Sequence, residues 1–242
     1  MTTPTPLALT GWRVAVTGTA RGIGRALALA AAEAGAVVIA HARTAADAAS
    51  TVAAIADLPG APPALPLAGD LRDPDLPERL AALAAGHLDA LVLNAGLLGP
   101  MQRLEATDLA AFRDVMDVNV DAQLRLFIGA LPALKSRRGR VVWLTSGLGH
   151  FALPGYGVYC VSKHAVEGLA RLAAVEHAED GLTSVAVAPG MVQTEMLSAA
   201  LGGATDLSGF TPPAVAATRF VSLLAALAPR HSGRVLDLGE PL

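Results

Sequence analysis

The chain of 242 residues holds one cysteine, Cys160, and only 4% aromatic residues. A lone cysteine excludes an intrachain disulfide and permits a reducing compartment. With so few aromatics among 53% apolar residues, a core has to be built from Ala, Val and Leu. No stretch of about 18 residues is free of charge, Pro and Gly, as a membrane span requires. The N-terminus MTTPTPLALTG lacks the charged and long apolar regions of a signal peptide. A formal net charge of −3 leaves no basic footprint for nucleic acid. The six histidines are scattered without ligand spacing, so no metal site is expected. The expectation from these absences is a soluble, cytoplasmic protein with no nucleic-acid or membrane partner. Three further residue types are scarce: two lysines (Lys135, Lys163), two asparagines (Asn94, Asn119) and two tyrosines (Tyr156, Tyr159), against sixteen arginines. Where a chain avoids these types, the positions that keep them are candidates for function.

What is present is a regular alternation. Apolar runs of strand length occur at Arg13–Thr17, Val37–His41, Ala64–Ala68, Ala90–Leu93, Arg140–Thr145, Ser184–Ala188 and Val235–Leu238. Stretches of helical period lie between them, near 22–34, 45–56, 75–85, 107–135, 157–179 and 212–228. Near-continuous apolar strands separated by helices predict a parallel sheet covered on both faces. Right-handed crossovers then give a Rossmann-type, doubly wound three-layer α/β sandwich with seven strands. No linker divides the chain, so 1–242 reads as a single domain. Segment 190–211 is rich in Gly, Ser and Thr, and a loop of that length at strand carboxyl ends predicts a substrate lid.

The first strand runs into TGTARGIG (17–24), with Gly18, Gly22 and Gly24 spaced G-x-x-x-G-x-G. Glycine suits a turn whose backbone must approach a pyrophosphate, and the helix N-terminus that follows offers N–H groups to it. The position between a strand and a helix favours a nucleotide site over a plain loop.

The sharpest local pattern is YCVSK (159–163). Residues four apart share a helix face, so Tyr159 and Lys163 can enter one cleft. A phenol with a pKa near ~10 is a poor acid–base catalyst at neutral pH, and a nearby cation lowers that value. A core tyrosine beside a surface lysine would give the same spacing. The rarity of lysine, and Ser146 at the end of the strand RVVWLTS, tip the balance toward catalysis. A hydroxyl there faces the crevice where ligands of such sheets bind.

The turn TGTARGIG, the Ser146-to-Tyr159 spacing and Y-x-x-x-K together resemble the short-chain dehydrogenase/reductase family, the branch with subunits of about this length. Further motifs match in order from about residue 11 to 200. LNAG (93–96) resembles the N-A-G turn, although Leu93 stands where many members carry another Asn. GDL (69–71) resembles the Asp-apolar pair that holds adenine, PGMVQT (189–194) the segment over nicotinamide, and Asn119 the helical asparagine of the tetrad. The resemblance implies catalytic Asn119, Ser146, Tyr159 and Lys163. Ser146 would bind the substrate carbonyl and Tyr159 would donate the proton. Lys163 would lower the Tyr159 pKa and bind the nicotinamide ribose, and Asn119 would hold a relay water. It implies cofactor contacts from Gly18, Arg21, Gly22, Ile23, Gly24, Arg43, Asp70, Leu71, Asn94, Ala95, Gly96, Tyr159, Lys163, Pro189, Gly190, Val192 and Thr194.

In VVIAHART (37–44), Ala42 falls where NAD-dependent relatives carry Asp, and Arg43 follows. Without the carboxylate, Arg43 and Arg21 can grip a 2′-phosphate, which favours NADP(H) over NAD(H). Leu97, Leu98, Leu148, His150, Phe151, Tyr156, Met191, Met196 and Leu197 flank the tetrad. Mostly apolar walls predict an apolar ketone, aldehyde or secondary alcohol as the small-molecule substrate. Either His150 or Tyr156 adds a polar contact or merely caps its loop. The expected activity is NADP(H)-dependent carbonyl/alcohol interconversion. The alternatives are a redox-sensing NADP(H)-binding protein without turnover, or a lyase or epimerase using the same Tyr/Lys pair. Helices 107–135 and 157–179 carry surplus apolar residues and resemble the family's dimer-forming pair, so a homodimer or homotetramer is expected. The terminus GRVLDLGEPL keeps only Gly239 of the family's usual glycine pair, which leaves the last strand's contacts open.

Overall fold

The computed structural model describes residues 8–240, so most of the N-terminal stretch and the last two residues of GRVLDLGEPL lie outside the described residues. Seven strands form one parallel sheet: β1 (Arg13–Thr17), β2 (Val37–Ala42), β3 (Leu65–Ala68), β4 (Ala90–Leu93), β5 (Arg140–Leu144), β6 (Thr183–Ala188) and β7 (Val235–Asp237). Their spatial order is β3-β2-β1-β4-β5-β6-β7. Each matches a predicted run to within one residue. Pro66 sits in β3, where an edge strand tolerates its missing N–H.

Strand residues alternate between two cores. Val14, Val16, Val38, Ala40, Val142 and Leu144 face one side; Ala15, Ile39, Val141 and Trp143 face the other. The helices are α1 (Gly22–Glu33), α2 (Ala45–Ala56), α3 (Leu76–Ala84), α4 (Leu109–Met116), α5 (Ala122–Ser136), α6 (Gly157–Glu176), α7 (Glu195–Ala200) and α8 (Pro213–Ala226). Helices α1 and α8 cover the first face through Leu27, Ala28, Ala31, Phe220 and Leu224. Helices α3, α5 and α6 cover the second through Leu80, Leu126, Phe127, Val166 and Ala170. Alanine on the facing stripe of α1 lets α8 come close, which is how a core poor in aromatics is filled.

Two expectations need correction. The single helix foreseen over 107–135 is α4, capped by Asp108 accepting from the Ala110 and Ala111 amides, then a π-helical turn at Asp117–Asp121, then α5. Asp108 offers the chain an N-cap, so the helix starts there. Segment 190–211, expected as a loop, is not wholly irregular, because Thr194 caps the short helix α7 by accepting from the Leu197 amide. The strand order reverses between β1 and β4, and their carboxyl ends frame the crevice where open α/β sheets bind ligands.

Candidate active site

The glycine turn is held from two sides. Gly18 and Gly22 have φ of +74° and +58°, in the left-handed region. A Cβ on Gly24 would run into the Gly18 carbonyl and the Asn94 amide. The Thr17 hydroxyl accepts from the Asn94 and Ala95 amides at 2.9 and 3.0 Å, while Asn94 Nδ2 donates to the Thr17 carbonyl at 2.7 Å. The Asn94 side chain thus fastens the turn to β4, which leaves the backbone of Asn94, Ala95 and Gly96 for the cofactor contact expected of this turn. Arg21 precedes α1 without capping it, and the first turn carries no acid. Its amides are therefore available to an anion, and this cradle fits a pyrophosphate. Ile23 packs on the core beneath.

The outer residues of the cofactor set divide. Ala42 is buried at the end of β2 and Arg43 is exposed just beyond it. Arg21 pairs with Glu195 at the start of α7, at 2.6 Å. Asp70 is gripped by the Arg72 guanidinium at both oxygens, 2.9 Å each, and accepts the Arg72 amide, which together hold its carboxyl well below the usual carboxylate range. Asp70 is therefore already partnered, because Arg72 two residues on can fold back over it. The Leu71 and Val192 side chains lie in the two cores. Val192 bridges to Thr211 through the Met191 carbonyl and the Gln193 amide, so its own amide points the other way. Pro189 and Gly190 (φ +73°) turn the chain after β6 toward Thr194, whose methyl stands over Gly22.

The tetrad comes together. Ser146 ends the β5 run, and its hydroxyl partly offsets the burial that pushes the Tyr159 phenol up to about 12. Lys163 is 3% exposed and donates to the Leu144 carbonyl at 2.7 Å, with Nζ 5.5 Å from the Tyr159 ring centre. Burial pulls its pKa down to about 8. Burial dominates the Tyr159 phenol, and the lowering that opposes it comes from the Ser146 hydroxyl. Asn119 is fully buried in the π-helical turn. Its Oδ1 accepts the Leu97 amide at 2.7 Å, and its Nδ2 donates to the Leu97 carbonyl at 2.9 Å and the Ser162 hydroxyl at 3.0 Å. The side chain thus fixes the Gly96–Leu97 loop, and a relay water would have to use the backbone that the π turn loosens. Ser162, which also donates to the Tyr159 carbonyl at 2.7 Å, carried no sequence signal beyond its place inside YCVSK.

The pocket residues part ways as well. Phe151, Met191 and Met196 are exposed and apolar, Leu98 is half-buried, and Leu148 is buried beneath the Ser146 turn. Tyr156 donates to the Ala200 carbonyl at 2.8 Å, tying the β5–α6 loop to the end of α7. His150 Nδ1 lies 2.8 Å from Glu167 on α6. Both polar groups therefore brace loops. Glu167, 1% exposed, and Thr145, which donates to it at 3.1 Å, were missed, since nothing in a helical EGLAR stretch marks a buried carboxylate.

Residues 13–202 match the family model described as short chain dehydrogenase. The chain is 30% identical over 229 residues to the NADPH-dependent pterin aldehyde reductase of Arabidopsis thaliana, covering 93% of this chain and 92% of that protein. It is 37% identical over 187 residues to the 11-beta-hydroxysteroid dehydrogenase-like 6 of the same plant, covering 76% of this chain but only 54% of that protein. Among solved structures, a short chain dehydrogenase from Escherichia coli CFT073 complexed with NADPH superposes with a TM-score of 0.91 at 28% identity, covering 98% of this chain and 100% of the other.

Proposed function

The chain belongs to the short-chain dehydrogenase family, and we propose that it is a single-domain enzyme interconverting an apolar ketone or aldehyde and its alcohol with NADP(H). The NADPH-bound neighbour and the NADPH-dependent relative support NADP(H) as cofactor. So does the buried Ala42 followed by exposed Arg43, which sets a cation and no carboxylate at the end of β2. The observation that carries the activity is the cluster of half-buried Ser146 and Tyr159 with buried Lys163 at the carboxyl ends of the central strands.

Bound NADP(H) supplies or accepts the hydride. Everything else is work for the chain's own groups. Reduction of a carbonyl places negative charge on its oxygen, and the Ser146 hydroxyl and Tyr159 phenol are the donors that meet it. A phenol pushed up to about 12 is protonated at neutral pH and so is ready to give its proton. Lys163, down to about 8, is mostly charged at pH 7 and stabilises the phenolate that remains. The Leu144 carbonyl fixes Nζ, and a Cβ on Gly96 would press on Asn119 Oδ1 at 3.1 Å. Apolar Phe151, Met191 and Met196 at the mouth suit an apolar substrate.

The test is loss of NADPH absorbance across a panel of apolar ketones and aldehydes. Tyr159→Phe is expected to lower kcat by about 10²- to 10⁴-fold, the usual range for a removed acid–base group, with NADPH affinity kept. NADPH binding with no turnover of any carbonyl or alcohol would instead identify a redox-sensing protein.

A further inference from the structure

His41 is the next-to-last residue of β2, level with Thr17 in the β1–β2 register, and 3% exposed. The Gly18 amide can only donate, and it lies 3.3 Å from His41 Nδ1. Nδ1 is therefore the nitrogen without a proton. The neutral ring then carries its proton on Nε2, which donates to the Gly69 carbonyl at 3.0 Å. One imidazole thus joins the glycine turn to the segment that leads into Asp70. The His41 carbonyl adds to this by accepting from the Thr19 amide at 2.8 Å and the Thr19 hydroxyl at 3.1 Å. The turn has little freedom to settle elsewhere, because Ala95 and Asn94 crowd Gly18 from the β4 side.

We propose that His41 is a positioning residue for the cofactor, its Nδ1 lone pair holding the Gly18 amide so that the first-turn amides of α1 face the pyrophosphate. It acts through the turn and touches no reacting atom. The inference rests on the glycine turn being the cofactor's seat. A protonated ring would set an N–H of its own against that of Gly18 and release the turn. Of the charged groups around the ring, Asp70 favours that proton and Arg79 on α3 opposes it, while burial opposes it more than either.

Two substitutions separate the ring's nitrogens. His41→Asn can place an amide oxygen where Nδ1 sits and keep the Gly18 bond. His41→Gln can place an amide nitrogen where Nε2 sits and keep only the Gly69 bond. NADPH and NADH dissociation constants are read from protein fluorescence quenching, with urea unfolding to report folding. His41→Asn should stay within about threefold of wild type for both cofactors, and His41→Gln should weaken both by about tenfold or more, the effect of one unmade buried hydrogen bond. Equal weakening by both variants, no weakening by either, or a loss confined to NADPH would overturn the role of His41. Should His41→Gln not fold, NADH titrations from pH 8 to pH 5 decide, NADH being free of the titrating 2′-phosphate. Affinity should fall toward acid in wild type and hold in His41→Asn; parallel curves would overturn the proposal. A wild type that binds neither cofactor would instead overturn the reading of the glycine turn.

Discussion

Ala42 and Arg43 are adjacent residues with opposite surroundings, one packed at the end of β2 and one in solvent. A carboxylate at position 42 would repel a 2′-phosphate and accept from ribose hydroxyls instead. Ala42→Asp should therefore lower kcat/KM for NADPH by about tenfold to a hundredfold and raise it for NADH, since a charge-assisted hydrogen bond contributes ~1.5–3 kcal/mol. Steady-state kinetics with both cofactors checks this, and a variant that still prefers NADPH by the wild-type ratio would remove position 42 from the specificity argument. Arg21 enters on different terms. Its guanidinium is paired with Glu195 across the mouth of the glycine turn, and a 2′-phosphate would compete with that carboxylate. The pair is largely exposed, so releasing it costs little, ~0–1 kcal/mol.

At the scale of elements, the Ser146 turn after β5 is pinned to α6 by one carboxylate. Glu167 accepts the Thr145 hydroxyl, faces His150 Nδ1 and accepts from Arg171 at 3.1 Å, and Gly149 passes so close that a Cβ would strike it. Glu167→Leu should destabilise the fold by about 2–4 kcal/mol because Thr145 and His150 lose a buried partner. Arg171→Ala, at the exposed end of the same network, should cost under ~1 kcal/mol. Urea unfolding of the two variants gives the ratio, and equal losses would show that the turn does not depend on the buried carboxylate. This network also shows where reading the chain reaches its limit. Strands such as β1 and β5 were legible because each is an apolar run with both faces buried, and Tyr159 and Lys163 because four residues span one helical turn. The direction of His150 was not, since its partner lies 17 residues away on another element. The π-helical turn at Asn119 was equally hidden: VMDVNVDAQ has ordinary helical period, and the widened turn is where the side chain makes three bonds to Leu97 and Ser162, on distant parts of the chain.

Over the whole molecule, two features bear on assembly and on pH. Ile128 on α5 and Leu172 and Val175 on α6 are exposed at 58, 54 and 76%. Exposed apolar residues on neighbouring helices are what a subunit interface covers. Sedimentation should show a dimer or tetramer, and Leu172→Glu with Val175→Glu should shift it toward monomer. With lysine and tyrosine so scarce, few groups titrate at alkaline pH. Lys163 has a folded pKa of about 8 against an unfolded value of 10.5, so between these the unfolded chain binds more protons and stability rises with pH. Tyr159 is shifted the other way, to about 12 from 10.0, so its contribution is complete below pH 10 and lost above it. Burial raises the Cys160 thiol too, which adds to the loss on the alkaline side. His41, held below 6.5 by burial, removes stability as pH falls through that value. With only Lys135 as a second lysine, paired to Asp180 near the surface, the alkaline rise belongs to Lys163. In urea unfolding of the cofactor-free protein the Lys163 share should grow by about 2 kcal/mol from pH 8 to pH 10, at ~1.4 kcal/mol per pKa unit, with Cys160 and Tyr159 taking part of it back. Lys163→Met removes the titrating group and leaves Cys160 unchanged, so the difference between the two curves isolates the lysine. If the two curves run parallel, the charge on Lys163 is not what burial opposes, and its part in preparing Tyr159 would need another physical basis.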